Sequence, residues 1–179
     1  AIRVQIPIGE EDTHEGVIDL LTRKVYHSEG EMGEQVIISD DIPENLKADV
    51  EKYRAELVEK IVEQDESAME KLLEGNEPEL KELKKLLRKA VIANDIFPVF
   101  AGSALKNKGV QNILDAVVDY LPSPLDMPAA KGTNPDTGEE IARAASDDEP
   151  FAALVFKLQT DPFVGQLSFF RVYAGKVSA

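Results

Sequence analysis

The residues best suited to chemistry in this chain lie in the stretch Gly102-Ser103-Ala104-Leu105-Lys106-Asn107-Lys108-Gly109. It follows a short apolar run, Ile96-Phe97-Pro98-Val99-Phe100-Ala101, that reads as a buried strand. Gly109 then opens a helix with Val110, Ile113, Leu114, Val117, Val118 and Leu121 on one face. Strand, small-residue loop and helix in that order set backbone N–H groups at the mouth of an α/β sheet, where ligands bind. An ordinary strand-to-helix turn has the same three parts, so a lone Gly-Ser-Ala does not separate the two readings.

Other chemistry is sparse. His14 and His27 are the only histidines, and there is no cysteine. The carboxylates near His14 (Glu10, Glu11, Asp12 and Glu15) lie in a turn-rich loop without metal-ligand spacing. Both histidines read as surface or turn residues, and no catalytic or metal-ligating residue is assigned. The net charge of −14 repels phosphate backbones, so direct nucleic-acid binding by a broad basic patch is not expected. That acidity points to a protein partner or to solvent, and it also serves solubility.

No apolar run is long enough to span a bilayer and no signal peptide is evident, so no membrane partner is expected. The lack of cysteine excludes a disulfide-stapled secreted scaffold.

The elements that must position the loop can be read from period. Ile2, Val4, Ile6 and Ile8 alternate with Arg3, Gln5 and Pro7, which predicts a half-buried strand, either at a sheet edge or with its pairing ending at Pro7. Residues 15–20, 23–28 and 34–39 predict three more strands, with Gly30 and Gly33 marking a turn and Val36 and Ile38 sharing a face. Together they make a small antiparallel sheet.

From Pro43 the period becomes helical. Leu46, Val50, Tyr53, Leu57 and Ile61 form a stripe that Val58 and Val62 widen. The outer face of this helix carries Glu44, Glu51, Lys52, Ala55, Glu56, Glu59 and Glu63, with Glu56 and Lys60 spaced for an ion pair. A short helix over 67–74 ends at Gly75, and a third begins near Pro78 with Leu80, Leu83, Leu86, Leu87, Ala90 and Val91 repeating.

Pro122, Pro124 and Pro128 stop helical structure. Residues 129–150 read as a domain linker, with Asn134-Pro135-Asp136-Thr137-Gly138 a turn by its chemistry. Residues 151–157 and 165–173 alternate as strands.

The string Gly102 to Gln111 resembles the fifth guanine-nucleotide motif of translational GTPases, most closely that of the bacterial-type elongation factor G family. Leu121-Pro122-Ser123-Pro124-Leu125-Asp126, Asp161-Pro162-Phe163-Val164-Gly165 and Phe169-Phe170-Arg171-Val172-Tyr173 are similar to the same family. So are Ile6-Pro7-Ile8-Gly9 and Glu15-Gly16-Val17-Ile18-Asp19-Leu20. The resemblance runs over almost the whole chain, in order, and implies that the chain is a fragment.

The fold class it implies has three parts. An α+β insert subdomain (1–95) comes first. The last strand, guanine-side loop and helix of an α/β GTPase domain (96–128) follow, and after the linker come the first strands of a β-barrel domain (151–179), too few to close it. Residues 96–101 and 109–121 would normally pack on a central sheet this chain lacks, so their apolar faces are expected to be exposed, domain-swapped or packed in a non-native way.

The resemblance also implies function. The parent would hydrolyse GTP, with magnesium, to drive tRNA and mRNA translocation on the ribosome in the cytoplasm. The phosphate-loop string G-x-x-x-x-G-K-[ST], the magnesium motif and the base-reading Asp motif do not occur here, so the chain alone is expected to bind no GTP, GDP or magnesium.

By resemblance, Gly102, Ser103, Ala104 and Leu105 are the guanine-nucleotide-binding residues, with Ser103 supporting the base-reading Asp. The Ala104 N–H donates to guanine O6, and Leu105 packs on the base. The first long helix would contact the C-terminal domain of the ribosomal stalk protein through Glu51, Ala55, Glu56, Glu59 and Glu63. A non-catalytic stalk-binding module, and a paralogous translational GTPase acting in release-factor recycling or ribosomal protection, are the alternative readings.

Overall fold

A computed structural model describes residues 1–30 and 33–178. It is mixed α/β, with four α-helices and four small sheets among the described residues. Two compact units divide at Leu121/Pro122. Glu31 and Met32 of the turn read between Gly30 and Gly33 lie outside the described residues, as does Ala179.

The first unit begins with two strands, β1 (Ile2–Arg3) and β2 (Gln5–Ile8), where alternation predicts one. The break is at Val4. Its N–H donates to the Val99 carbonyl at 2.9 Å, while its own carbonyl accepts from Leu20 N–H at 2.9 Å. The chain therefore leaves one sheet and joins another within a single buried residue. β1 pairs in parallel with the strand Pro98–Val99.

β2 is the edge of a four-stranded antiparallel sheet with β3 (Gly16–Asp19), β4 (Lys24–Glu29) and β5 (Gln35–Ser39). Pro7, which has no N–H to donate, is tolerated at this edge as expected. Ile6, Ile18 and Val25 face one another across three strands and are buried. Val36 is half-buried and Ile38 exposed, so the shared face read on β5 is not a core face.

A 3₁₀ turn, Glu44–Leu46, leads into helix α1 (Lys47–Val62), followed by α2 (Glu66–Leu73) and α3 (Leu80–Ile92). α2 starts at Asp65, whose side chain accepts from Ala68 N–H at 3.1 Å, the arrangement that satisfies an otherwise unpaired helical donor. Val50, Leu57, Val58, Ile61 and Val62 of α1 join Leu83, Leu86, Leu87 and Ala90 of α3 and the sheet residues in one core.

Arg54 is buried among them. Its guanidinium donates to the Leu20 carbonyl at 2.7 Å and the Leu21 carbonyl at 3.0 Å, and is paired with Glu77. The Glu56–Lys60 pair is not formed, because Lys60 turns to Glu63.

Next come β6 (Pro98–Val99), shorter than the apolar run predicts, and α4 (Val110–Tyr120). This segment belongs to the same compact unit as residues 1–95. Lys84 on α3 pairs with Asp119 at 2.7 Å. Arg88 donates to the Asp119 and Leu121 carbonyls at 3.0 and 3.1 Å, meeting the negative end of α4. α4 buries Ala116 and Tyr120, whereas the stripe read from sequence (Ile113, Leu114, Val117, Val118 and Leu121) is exposed, as are Phe97 and Val99. Ile96 is buried and Phe100 packs partly against the core, so exposure, one of the three outcomes expected, is found for only part of these faces.

In the second unit the segment read as a linker is an antiparallel hairpin, β7 (Ala130–Thr133) with β8 (Glu140–Arg143). The turn is where its chemistry places it. Asn134 N–H donates to the Glu139 carbonyl at 2.9 Å, and the Asn134 side chain accepts from Asp136 N–H at 2.9 Å. A one-sided apolar pattern is missing from both strands, so residue period gave no signal for them. A longer hairpin follows, β9 (Ala152–Asp161) with β10 (Gly165–Ala174). Its turn is set by the Asp161 carboxylate, which accepts from Phe163 and Val164 N–H at 2.8 and 2.9 Å.

Candidate functional site

The loop after β6 is closed at its neck. Ser103 N–H donates to the Lys108 carbonyl at 2.8 Å and Lys108 N–H returns a bond to the Ser103 carbonyl at 3.0 Å. Two glycines permit this closure. A Cβ at Gly102 would fall 2.6 Å from the Lys108 carbonyl oxygen. Gly109, the residue before α4, has φ +75°, and a Cβ there would sit 2.7 Å from the Ala101 oxygen. Either contact is far inside van der Waals range. Gly109 needs both the missing side chain and the left-handed backbone.

Residues 104–107 form the tip. Asn107 N–H donates to the Ala104 carbonyl at 3.3 Å, and Lys106 N–H to Ser103 Oγ at 3.4 Å. The Ala104 and Leu105 amides meet no acceptor among the described residues, and both residues are exposed, Leu105 at 86 %. The tip therefore presents two unused donors and an uncovered apolar side chain beside the N-terminal end of α4, whose first turn carries no acid. A carbonyl oxygen held against an apolar ring is the chemistry that such a tip can meet.

The loop is braced from outside. Lys108 Nζ donates to the His14 carbonyl at 2.7 Å. Gly33 lies so close that a Cβ would be 2.6 Å from the Lys106 oxygen and 2.8 Å from that of Asn107. Lys106 approaches Asp12 at 3.7 Å, an exposed pair of little weight.

His14 corrects the surface reading made from sequence: it is only 9 % exposed, and its Nε2 has no partner among the described residues. Burial, and then the Lys108 ammonium, hold its pKa below the ordinary histidine value. His27 sits half-buried in β4. Sequence reasoning gave Lys108 no role, and no local pattern could have done so, because its partner lies 94 residues away.

Of the helix residues read as partner-binding, Ala55, Glu56 and Glu59 are exposed on α1. Glu51 is exposed too, but it is engaged: Arg23 Nε and Nη2 each reach its carboxylate at 3.1 Å, which pulls its pKa down. Glu63 is held by Lys60. The open part of this face is therefore the middle of the helix. Residues 102–105 lie in the loop after β6, and Ala55, Glu56 and Glu59 lie on α1, so the two sets of residues read from the sequence sit on different elements of the first unit.

No family model matches the chain. A crystal structure of a protein from Thermus thermophilus is similar to it, with a TM-score of 0.74 and 29 % sequence identity over 97 % of this chain. The chain spans only 23 % of that protein's length. The fold thus matches a section of that larger protein. No helix among the described residues is long and apolar enough to cross a membrane.

Proposed function

We propose that this chain is the guanine-reading section of a GTP-hydrolysing translation factor of the elongation factor G type, a cytoplasmic protein that promotes tRNA and mRNA movement on the ribosome. The observation that carries the reading is the pinched loop. Its unpartnered amides support the role of O6 donor that the motif resemblance gives to Ala104, and the uncovered Leu105 supports packing on a base. An adenine amino group at that position would leave the amide unpaired, so the same geometry rejects adenine nucleotides.

The exposed stripe of α4 and the edge at Phe97 and Val99 support the reading as well, since apolar faces of this kind are covered in a larger body. GTP supplies the phosphoanhydride bond to be cleaved and magnesium the charge that neutralises it. The residues present fit the base side of the nucleotide only. Ala104 and Leu105 orient the base and Gly102 and Gly109 hold the loop shut, while the phosphate-loop and magnesium motifs do not occur in this sequence.

Full-length protein should hydrolyse GTP, ribosomes should accelerate it, and ATP should not substitute. The chain of 179 residues alone should hold neither nucleotide. Micromolar GTP binding by the isolated chain, or equal turnover of ATP and GTP by the full-length protein, would overturn the proposal.

On the same reading, α1 docks the C-terminal domain of the ribosomal stalk protein through Ala55, Glu56 and Glu59, steered by charge. Titrating labelled chain with that domain should shift NMR signals within residues 44–64, and salt should weaken the shifts. Unmoved signals from a folded sample would remove the stalk contact from the account.

A further inference from the structure

The brace behind the loop tip joins two elements that are distant in sequence. Lys108 is one of the two residues that pinch the loop, through its reciprocal bonds with Ser103. Its side chain crosses to the connection between β2 and β3 and donates to the His14 carbonyl at 2.7 Å. That connection is itself tightly folded. Thr13 N–H donates to the Glu10 carbonyl at 2.9 Å, and Glu15 N–H donates to the Ile8 carbonyl at 2.9 Å. A Cβ on Gly9 would overlap the Thr13 oxygen. His14 is buried there, so the carbonyl that Lys108 grips belongs to a fixed residue rather than to a mobile turn.

A charged donor held on a fixed carbonyl limits where Ser103 and Lys108 can go, and so where the Ala104 amide points. Coupling of this kind is reciprocal: whatever fixes the loop tip must also steady the gripped carbonyl.

We propose that Lys108 is a positioning residue that couples the base-reading loop to the β2–β3 connection, so that nucleotide binding is felt in residues 10–16 of the insert. The proposal rests on the reading of the loop given above. It assigns the insert a share in nucleotide affinity and gives nucleotide occupancy a readout in the four-stranded sheet.

The test uses full-length protein, with GDP as the probe. Hydrogen exchange in residues 10–16 should slow when GDP is added to the wild type and to Lys108→Arg, whose guanidinium can still donate to the His14 carbonyl. It should not respond in Lys108→Met. Lys108→Met should also release GDP faster than wild type, by about fivefold or more, the lower end of ordinary coupling between sites.

A purely structural lysine would change the overall protection of residues 10–16 without making it depend on GDP. GDP that protects residues 103–109 but leaves 10–16 unchanged in the wild type overturns the coupling alone. So does wild-type GDP release from a folded Lys108→Met. A full-length protein that binds no GDP at all overturns both the coupling and the reading beneath it.

Discussion

Arg54→Met should cost this chain about 3 kcal/mol of stability. Arg54 is 5 % exposed, and its guanidinium supplies the donors for the Leu20 and Leu21 carbonyls just after β3. Hydrogen bonds from a charged donor contribute roughly 1.5 kcal/mol each, so losing the two gives about 3 kcal/mol. Methionine keeps much of the apolar stem, so little packing is lost with the charge. Glu77 adds little, because its side chain is 40 % exposed and can return to water.

Glu77→Gln, which leaves both carbonyl contacts in place, should therefore cost about 1 kcal/mol or less. Urea unfolding followed by circular dichroism at helical wavelengths measures both variants. The four α-helices of the described residues lie between Lys47 and Tyr120, so the signal reports the unit that contains Arg54. An Arg54→Met variant within about 0.5 kcal/mol of wild type would refute the reasoning, since surface changes already span that range. Glu77→Gln costing as much as Arg54→Met would show that the ion pair, not the carbonyl bonds, carries the effect.

Gly109→Ala should destabilise the first unit by about 2 kcal/mol or more, because alanine meets both a left-handed φ of +75° and the Ala101 oxygen. The same urea series checks it, and a neutral result would mean the loop neck is looser than drawn. His14 gives a pH dependence. Its folded pKa is held below the ordinary 6.5, so the unfolded chain binds the proton more readily. The stabilisation is complete above that value and is lost as pH falls through the lower, folded one. Stability should therefore fall as the pH is lowered from the ordinary histidine value toward the folded one, and the fall should be smaller in His14→Gln; an unchanged fall contradicts the assignment.

What could be read in the sequence was whatever repeats locally. The stripe on α1, the short helix that became α2 and the turn at Asn134 are set by residues within a few positions of one another, and each lies where the pattern puts it. The glycines that pinch the loop were visible for the same reason.

Residues whose partners are remote were not legible. Gln5 alternates like an outward residue, yet it is buried with its side-chain amide unpaired among the described residues, because the chain changes sheets at Val4 and turns the following strand. Arg54 looks like part of a polar helix face, and only the Leu20 carbonyl, 34 residues away, explains its burial. On α4 the apolar stripe is present as a stripe, but the helix meets the core through Ala116 and Tyr120 instead, guided by Lys84 and Arg88.

The central claim is that the Ala104 amide reads guanine at O6, and a change in the ligand tests it without disturbing the fold. Full-length protein should be titrated with GDP and with 6-thioguanosine diphosphate, which keeps the N1–H and amino group of guanine and replaces only the O6 oxygen, by sulfur, a weaker acceptor. The account predicts binding about fivefold weaker for the analogue, because the Ala104 amide then loses its oxygen acceptor on the base, a bond worth about 1 kcal/mol. Equal affinity for the two would contradict it.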